Sequence, residues 1–205
     1  MATTTPNYGW DVPTSTDYVA DGAVAIETLG DDIDASLFSI TGGKNVGEQF
    51  ITSGTFTTAS ALNLSSVLTD TYKAYRFYVL WKGSTVTDTY FRGRQNTTDY
   101  SSSAYYAGGN YGSRLGSTGA FGTQNGGTAF LAGTHNAVNF SSLVATIYRP
   151  NATQFNIHNL GYDDANVWGY HNSGSVLGMT NFNGFSLFPA TGTITGTYTL
   201  TGIKF

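Results

Sequence analysis

Two periods of apolar residues divide this chain: a spacing of seven near its start and a spacing of two through most of the rest. In residues 17–40, Val19, Ile26, Ile33 and Ile40 recur every seventh position, with Leu29 and Leu37 beside them. That spacing predicts one short amphipathic helix with a coiled-coil stripe. Thr16 or Asp17 is placed to accept its first backbone N–H bonds. Gly22 and Gly30 interrupt the stripe, and a helix of this length is marginal in water by itself. It therefore needs packing, against copies of itself or against a body domain. From Phe50 onward the period is two. Residues 75–82 set Tyr75, Phe77, Val79 and Trp81 against Arg76, Tyr78, Leu80 and Lys82. Residues 87–95 set Thr89, Phe91 and Gly93 against Tyr90, Arg92 and Arg94, and Leu143, Ala145, Ile147, Phe155 and Ile157 continue the alternation. At the C-terminus, five threonines at positions 193 to 201 oppose Ile194, Tyr198 and Leu200. Ile203 and Phe205 take the other parity, which predicts a bulge at Gly202 and a last strand tucked inside a sheet. Short alternating runs separated by turn residues predict an all-β body, a jelly-roll-like antiparallel β-sandwich.

The organisation expected is an extended docking arm at 1–16, the helix at 17–40, a Gly-rich hinge at 41–48 and the β-sandwich at 49–205. Pro6 and Pro13 disfavour a regular element in the arm. Its aromatics, Tyr8 and Trp10, are expected to be buried against a partner. Between residues 95 and 128 one or two short strands with long loops are expected.

Charge sharpens this division. Residues 1–40 contain seven acids and no Lys or Arg, and the remainder contains six acids and nine bases. An acidic arm thus precedes a nearly neutral body. Charged residues are 11% of the chain and aromatic residues 15%, against about 25% charged in ordinary soluble domains. Few charges with many aromatics excludes a disordered chain and fits a sandwich with neutral polar faces. The net charge of −4 argues against nucleic acid, whose phosphates require clustered bases. No run is long enough for a membrane-spanning helix, and the start has neither the basic segment nor the apolar run of a signal peptide. There is no cysteine.

Catalytic patterns are lacking. His135, His158 and His171 are scattered, with no metal-ligand spacing. Asp163 and Asp164 read as a solvated turn, GYDDAN. The body offers Asp70, Asp88, Asp99, Asp163 and Asp164 as carboxylates for glycoside hydrolysis, without a pattern to support it. Gly108–Gly109 and Gly126–Gly127 lack the GK[ST] ending of a phosphate loop. No enzyme activity, metal or cofactor is expected. Arg92 and Arg94 share a strand face flanked by Asp88 and Asp99, which reads as structural pairing. The Tyr/Ser/Gly/Asn stretch from Tyr100 to Gly127 has the composition of antibody loops, where rigid Tyr supplies contact area. Tyr100, Tyr105, Tyr106 and Tyr111 are therefore candidate contacts for a host surface glycan, with Trp168, Tyr170 and His171 as a second aromatic cluster. Packing between subunits is the competing use of the same residues.

The opening TTTPNYGWDVPTSTDYVADGAVAIETLGDDIDAS resembles the N-terminal arm of tailed-bacteriophage tail and virion surface proteins. In these, a PNYGW-P start leads into DGA-AI--LGD-ID. The segments FTTASALNLSSVLTDTYKAYRFYV, DTYFRGRQNTTDYSSSAYY and NGFSLFPATGTITGTYTLTGIKF resemble the β-sandwich that follows it, although TLTGIKF departs from the usual ending. The resemblance implies a non-enzymatic virion structural protein, made in the host cytoplasm and exposed on the particle as a homotrimer. Tyr8 and Trp10 would dock the arm on another virion protein, and Val19, Ile26, Leu29 and Ile33 would pack the trimer. A tail fibre or tail-tip adhesin is the expectation, with a capsid decoration protein as the alternative.

Overall fold

The computed structural model describes residues 3–6, 9–14, 18–41, 47–113, 116–121, 124–148, 155–163, 168–178 and 180–204. It divides into two compact units, residues 1–46 and 47–205.

In the first unit, β1 (Thr3–Thr4) pairs antiparallel with β2 (Asp11–Val12), and α1 spans Val19–Thr41. The arm is therefore not simply extended. Gly9, at φ 69°, turns the chain, and Thr5 N–H donates to Trp10 O at 2.8 Å while Trp10 N–H donates to Thr5 Oγ1 at 3.0 Å. Prolines at 6 and 13 flank this small ladder without entering it. Trp10 also finds a partner inside the chain, where its indole N–H donates to Ser36 Oγ at 3.2 Å. Tyr8, Thr16 and Asp17 lie outside the described residues. On α1, Ala25 is buried and Leu29 and Ile33 are half-buried. Val19 and Ile26 remain 93% and 63% exposed. The heptad stripe is thus only partly covered.

The second unit is an all-β sandwich of two antiparallel sheets. Its strands are β3 (Gly47–Ala59), β4 (Leu62–Leu64), β5 (Ala74–Gly83), β6 (Thr87–Gln95), β7 (Thr98–Asp99), β8 (Tyr105–Ser113) and β9 (Thr118–Ala120). They continue with β10 (Gln124–Gly127), β11 (Phe130–His135), β12 (Ser141–Tyr148), β13 (Phe155–Asp163), β14 (Trp168–Val176), β15 (Gly184–Pro189) and β16 (Ile194–Lys204). The large sheet runs β10-β8-β14-β13-β12-β5-β16-β3, with β9 beside β8. The small sheet runs β11-β6-β15-β4, with β7 beside β6. Eight of these strands reproduce the jelly-roll order, as β3-β16-β5-β12 in one sheet and β4-β15-β6-β11 in the other. The remaining strands enter as two insertions. The segment β7–β10 lies between the partners β6 and β11, and the hairpin β13–β14 lies between β12 and β15. Four inserted strands, β13, β14, β8 and β10, extend the large sheet beyond β12.

The period of two does the sorting. Tyr75, Phe77, Val79 and Trp81 are buried between the sheets, as are Leu143, Ala145, Ile147, Phe155 and Ile157. Phe77 meets Phe185 edge-on at 4.9 Å, Tyr105 meets Phe130 at 4.9 Å, and Phe155 lies 4.2 Å from Phe182. Each fully buried Phe contributes roughly 1.5–3 kcal/mol, so the aromatics supply what the modest aliphatic content does not.

Three sequence expectations are corrected here. Of the hinge expected at 41–48, Thr41 belongs to α1, Gly47 and Glu48 pair with Lys204 and Ile203 in a strand, and residues 42–46 lie outside the described residues. Glu48 accepts from Arg76, from Tyr78 Oη at 3.2 Å and from Thr201 Oγ1 at 2.9 Å, which ties the start of β3 down. The stretch 95–128 is mostly strand, since β8 alone is nine residues. The last strand is interior, but its bulge is not at Gly202, for β16 pairs with β5 in unbroken register. The extra residues are on β3, in the intervals facing Ile194–Gly196 and Leu200–Thr201, where Thr58 takes φ 46°. Gly202 is small for another reason: a Cβ there would stand 2.5 Å from the Tyr72 ring.

Candidate functional site

Strands β5, β12, β13, β14 and β8 lie side by side, and every second residue of each points away from the small sheet. The registers align these residues in rows across the sheet. One row is Tyr78, Val144, Leu160, His171 and Asn110, and the next towards the far end of β12 is Arg76, Thr146, His158, Ser173 and Gly108. The row beyond that is Tyr148, Asn156, Ser175 and Tyr106.

Two troughs result. The first, of about 490 Å³, is lined by Tyr78, Leu80, Val144, Leu160 and Tyr162, with Ser142, Thr197 and Thr199 at its sides. It is apolar, and Leu80 and Leu160 are 50% and 64% exposed. The second, of about 500 Å³, lies over β12, β13, β14 and β8. Its floor is Asn156, His158, Ser173, Ser175 and Gly108, and Tyr148 and Tyr106 stand at its two sides. Tyr148 meets the His158 ring edge-on at 5.6 Å, and His171 lies 6.3 Å from His158. Among the described residues no Asp, Glu, Lys or Arg lines the second trough. Both troughs use strands of the β13–β14 insertion, and the second also uses β8.

The aromatic residues singled out by the sequence are spread over different surroundings. Tyr105 and Tyr170 are core residues and are withdrawn as contact candidates. Tyr105 Oη donates to Tyr100 O at 2.5 Å and accepts from Gly93 N–H at 3.1 Å, and burial raises its phenol well above the usual tyrosine range. Tyr170 Oη donates to Ala132 O at 2.5 Å, and its ring stacks on Phe121 at 4.5 Å. Tyr100 is half-buried and donates to Leu177 O at 3.3 Å. Tyr111 and Trp168 do come together, stacked at 4.2 Å and half-exposed, but on the opposite face of the sheet from the troughs. Tyr106 alone reaches the polar trough. The cluster at 168–171 is strand rather than loop.

Sequence reasoning missed Tyr148, Asn156, His158, Ser173 and Ser175. The signal was present: once Leu143, Ala145, Ile147, Phe155 and Ile157 are assigned inward, the intervening residues must point out together.

The remaining polar side chains are structural. Arg94 pairs with Asp99 and donates to Asn63 Oδ1 at 2.6 Å. Arg92 lies 4.6 Å over Phe188 and donates to Thr128 O at 2.9 Å. Asn159 donates to Asn172 Oδ1 at 2.9 Å, and Asn172 donates to Leu131 O at 2.9 Å, which ties the inserted hairpin to the small sheet. His135 is fully buried beside Thr89 and Trp81. Among the described residues no three His, Asp or Glu side chains are grouped to hold a metal ion, and no helix is long and apolar enough to cross a membrane. Of the GYDDAN turn, Gly161, Tyr162 and Asp163 belong to β13, and the rest lies outside the described residues.

No family model matches the chain, and no curated protein is similar to it in sequence. A solved structure of a protein of unknown function from Shewanella oneidensis MR-1 aligns with 78% of this chain and 76% of its own, at 14% identity and a TM-score of 0.29. That likeness is too distant to bear on function.

Proposed function

We propose that this chain is a non-enzymatic structural protein of a tailed-phage virion, homotrimeric, docked by its acidic N-terminal unit and presenting the β-sandwich outward as a tail fibre or tail-tip adhesin. The observation that supports an assembled state is the pair of exposed apolar surfaces, Val19 and Ile26 on α1 and Leu80 and Leu160 in the sheet trough. Contiguous exposed apolar side chains of this kind mark surfaces that another molecule covers. A threefold arrangement lets α1 stripes meet at one axis. The N-terminal unit, with seven acids and no base in residues 1–40, favours a basic dock, because complementary charge speeds and orients association. Trp10 enters that dock, and Tyr8 is assigned the same role.

Outward presentation is supported by the insertions, which add tyrosine-rich strands to an otherwise ordinary jelly roll. Binding functions are commonly grafted onto a rigid scaffold in this way. Trimerisation would turn three weak contacts into one strong attachment. Quantitative mass spectrometry of purified particles, against the major capsid protein, tests the assignment. A copy number of a handful to tens supports the tail. One trimer per local threefold axis would make it a capsid decoration protein instead, and absence from particles would overturn the virion reading altogether.

A further inference from the structure

We propose that the polar trough between Tyr148 and Tyr106 is a binding site for a neutral oligosaccharide. The inference rests on the outward-facing reading above and deepens it, by naming the ligand class and the residues that would hold it.

The geometry begins with strand spacing. Tyr148, Asn156, Ser175 and Tyr106 occupy one row on four adjacent strands, so the two tyrosines are about 14 Å apart at three strand spacings. Both rings are partly exposed, 39% for Tyr148 and 37% for Tyr106. Between them the floor offers an amide, two hydroxyls and an imidazole, from Asn156, Ser175, Ser173 and His158. Among the described residues no side-chain hydrogen bond engages Asn156, Ser173 or Ser175. Gly108 keeps the floor open, for nothing lies within 4 Å of the Cβ it lacks.

This combination matches the two-sided chemistry of a sugar ring. A pyranose presents C–H groups on one face, which pack on an aromatic ring, and hydroxyls at its edge, which pair with amide and hydroxyl groups. Tyrosine serves the first need with little entropy to lose. Asn and Ser serve the second, each as donor and acceptor. Among the described residues the lining holds no Lys or Arg, which disfavours a phosphorylated or nucleic-acid ligand, and no Asp or Glu, which disfavours a cationic one. A peptide or lipid anchored by aliphatic groups would find its complement in the neighbouring trough at Leu80 and Leu160, not here. Two walls separated by three strands fit a short oligomer that spans both, rather than one ring. Because all the floor residues sit on strands, the site is preformed and loses little on ordering.

The test uses the full-length protein on a printed array of neutral and acidic bacterial-surface oligosaccharides, followed by calorimetric titration of the strongest neutral binder. Tyr148→Ala and Tyr106→Ala are each expected to weaken binding about tenfold, the loss of one ring contact. Asn156→Ala should weaken it as well. Leu160→Ser, in the apolar trough, should leave affinity unchanged. All four sites are solvent-facing, and an unchanged melting temperature checks that each variant folds. No neutral binder on the array, acidic binders only, or affinity within twofold of wild type in the Tyr148→Ala, Tyr106→Ala double variant would each overturn the proposal. The outcome is separable from the virion assignment. A protein found on particles that binds no saccharide loses only the site, and one that binds yet is absent from particles loses only the virion reading.

Discussion

His135 is fully buried in the body, beside Trp81 and Thr89. Trp81 Nε1–H donates to Thr89 Oγ1 at 3.0 Å, and Thr89 Oγ1 lies 2.5 Å from His135 Nδ1. If the Thr89 hydroxyl donates onward, Nδ1 accepts and the ring proton sits on Nε2, which has no partner among the described residues. Burial lowers the His135 pKa below its ordinary value, against a smaller opposing pull from Asp88. Above the unfolded value of about 6.5 both states are neutral and stability is undiminished. As pH falls below it, the unfolded chain takes up a proton that the folded chain resists, and stability declines towards the folded pKa. His135→Asn should therefore flatten the loss of melting temperature between neutral and mildly acidic pH, read by calorimetry. Gly83 adjoins this ring so closely that a Cβ would stand 1.9 Å from it. Gly83→Ala should destabilise by about 1–3 kcal/mol in denaturant titration, and much less in a His135→Ala background, since the two residues share one space. None of this was legible in the sequence, where His135 reads as one more polar residue. Tyr105 and Tyr170 were misread for the same reason. In a Gly/Ser/Asn context a tyrosine looks like a loop contact, and the Ala132 carbonyl that accepts from Tyr170 and the Phe130 ring that packs on Tyr105 lie far along the chain from the residues they serve.

At the scale of elements, alternation located the strands well because one face of each is dry and the other wet. It said which residues share a face, but not which strands are neighbours. The outward sets of β12, β13, β14 and β8 become a site only through registers that join residues 106, 148, 156 and 175. The bulge was placed on the wrong strand because a parity change in one sequence does not show which partner holds the extra residue. The helix was legible as a helix, and its heptad spacing as an unmet need. Val19→Lys with Ile26→Lys puts charges into a stripe that is exposed in the single chain, so helix formation should survive. We expect the mass measured by light scattering to fall from that of the proposed trimer towards that of a monomer, with far-ultraviolet dichroism unchanged. An unaltered mass would remove α1 from the assembly contacts.

For the whole molecule, the division at residue 46 separates an acidic unit from a body with its own continuous core. Residues 47–205 expressed alone should melt within a few degrees of the body transition in the full chain, because among the described residues that core is built from the second unit. A body that fails to fold would show that the N-terminal unit contributes to its stability. The all-β sandwich was expected from the run of short strands, whereas the insertions were invisible, since a strand that widens a sheet has the same period as one that closes a sandwich. The widened sheet keeps an open edge, where chains at high local density could pair. Its terminal strand, β3, is 13 residues long, and a flat edge of that length is a template for adding strands from other molecules without limit. The two extra residues break the edge into short, differently twisted segments, and Thr58 turns its N–H back to Thr195 Oγ1 at 2.9 Å. The irregularities of β3 thus interrupt the continuous edge on which fibril growth by strand addition depends.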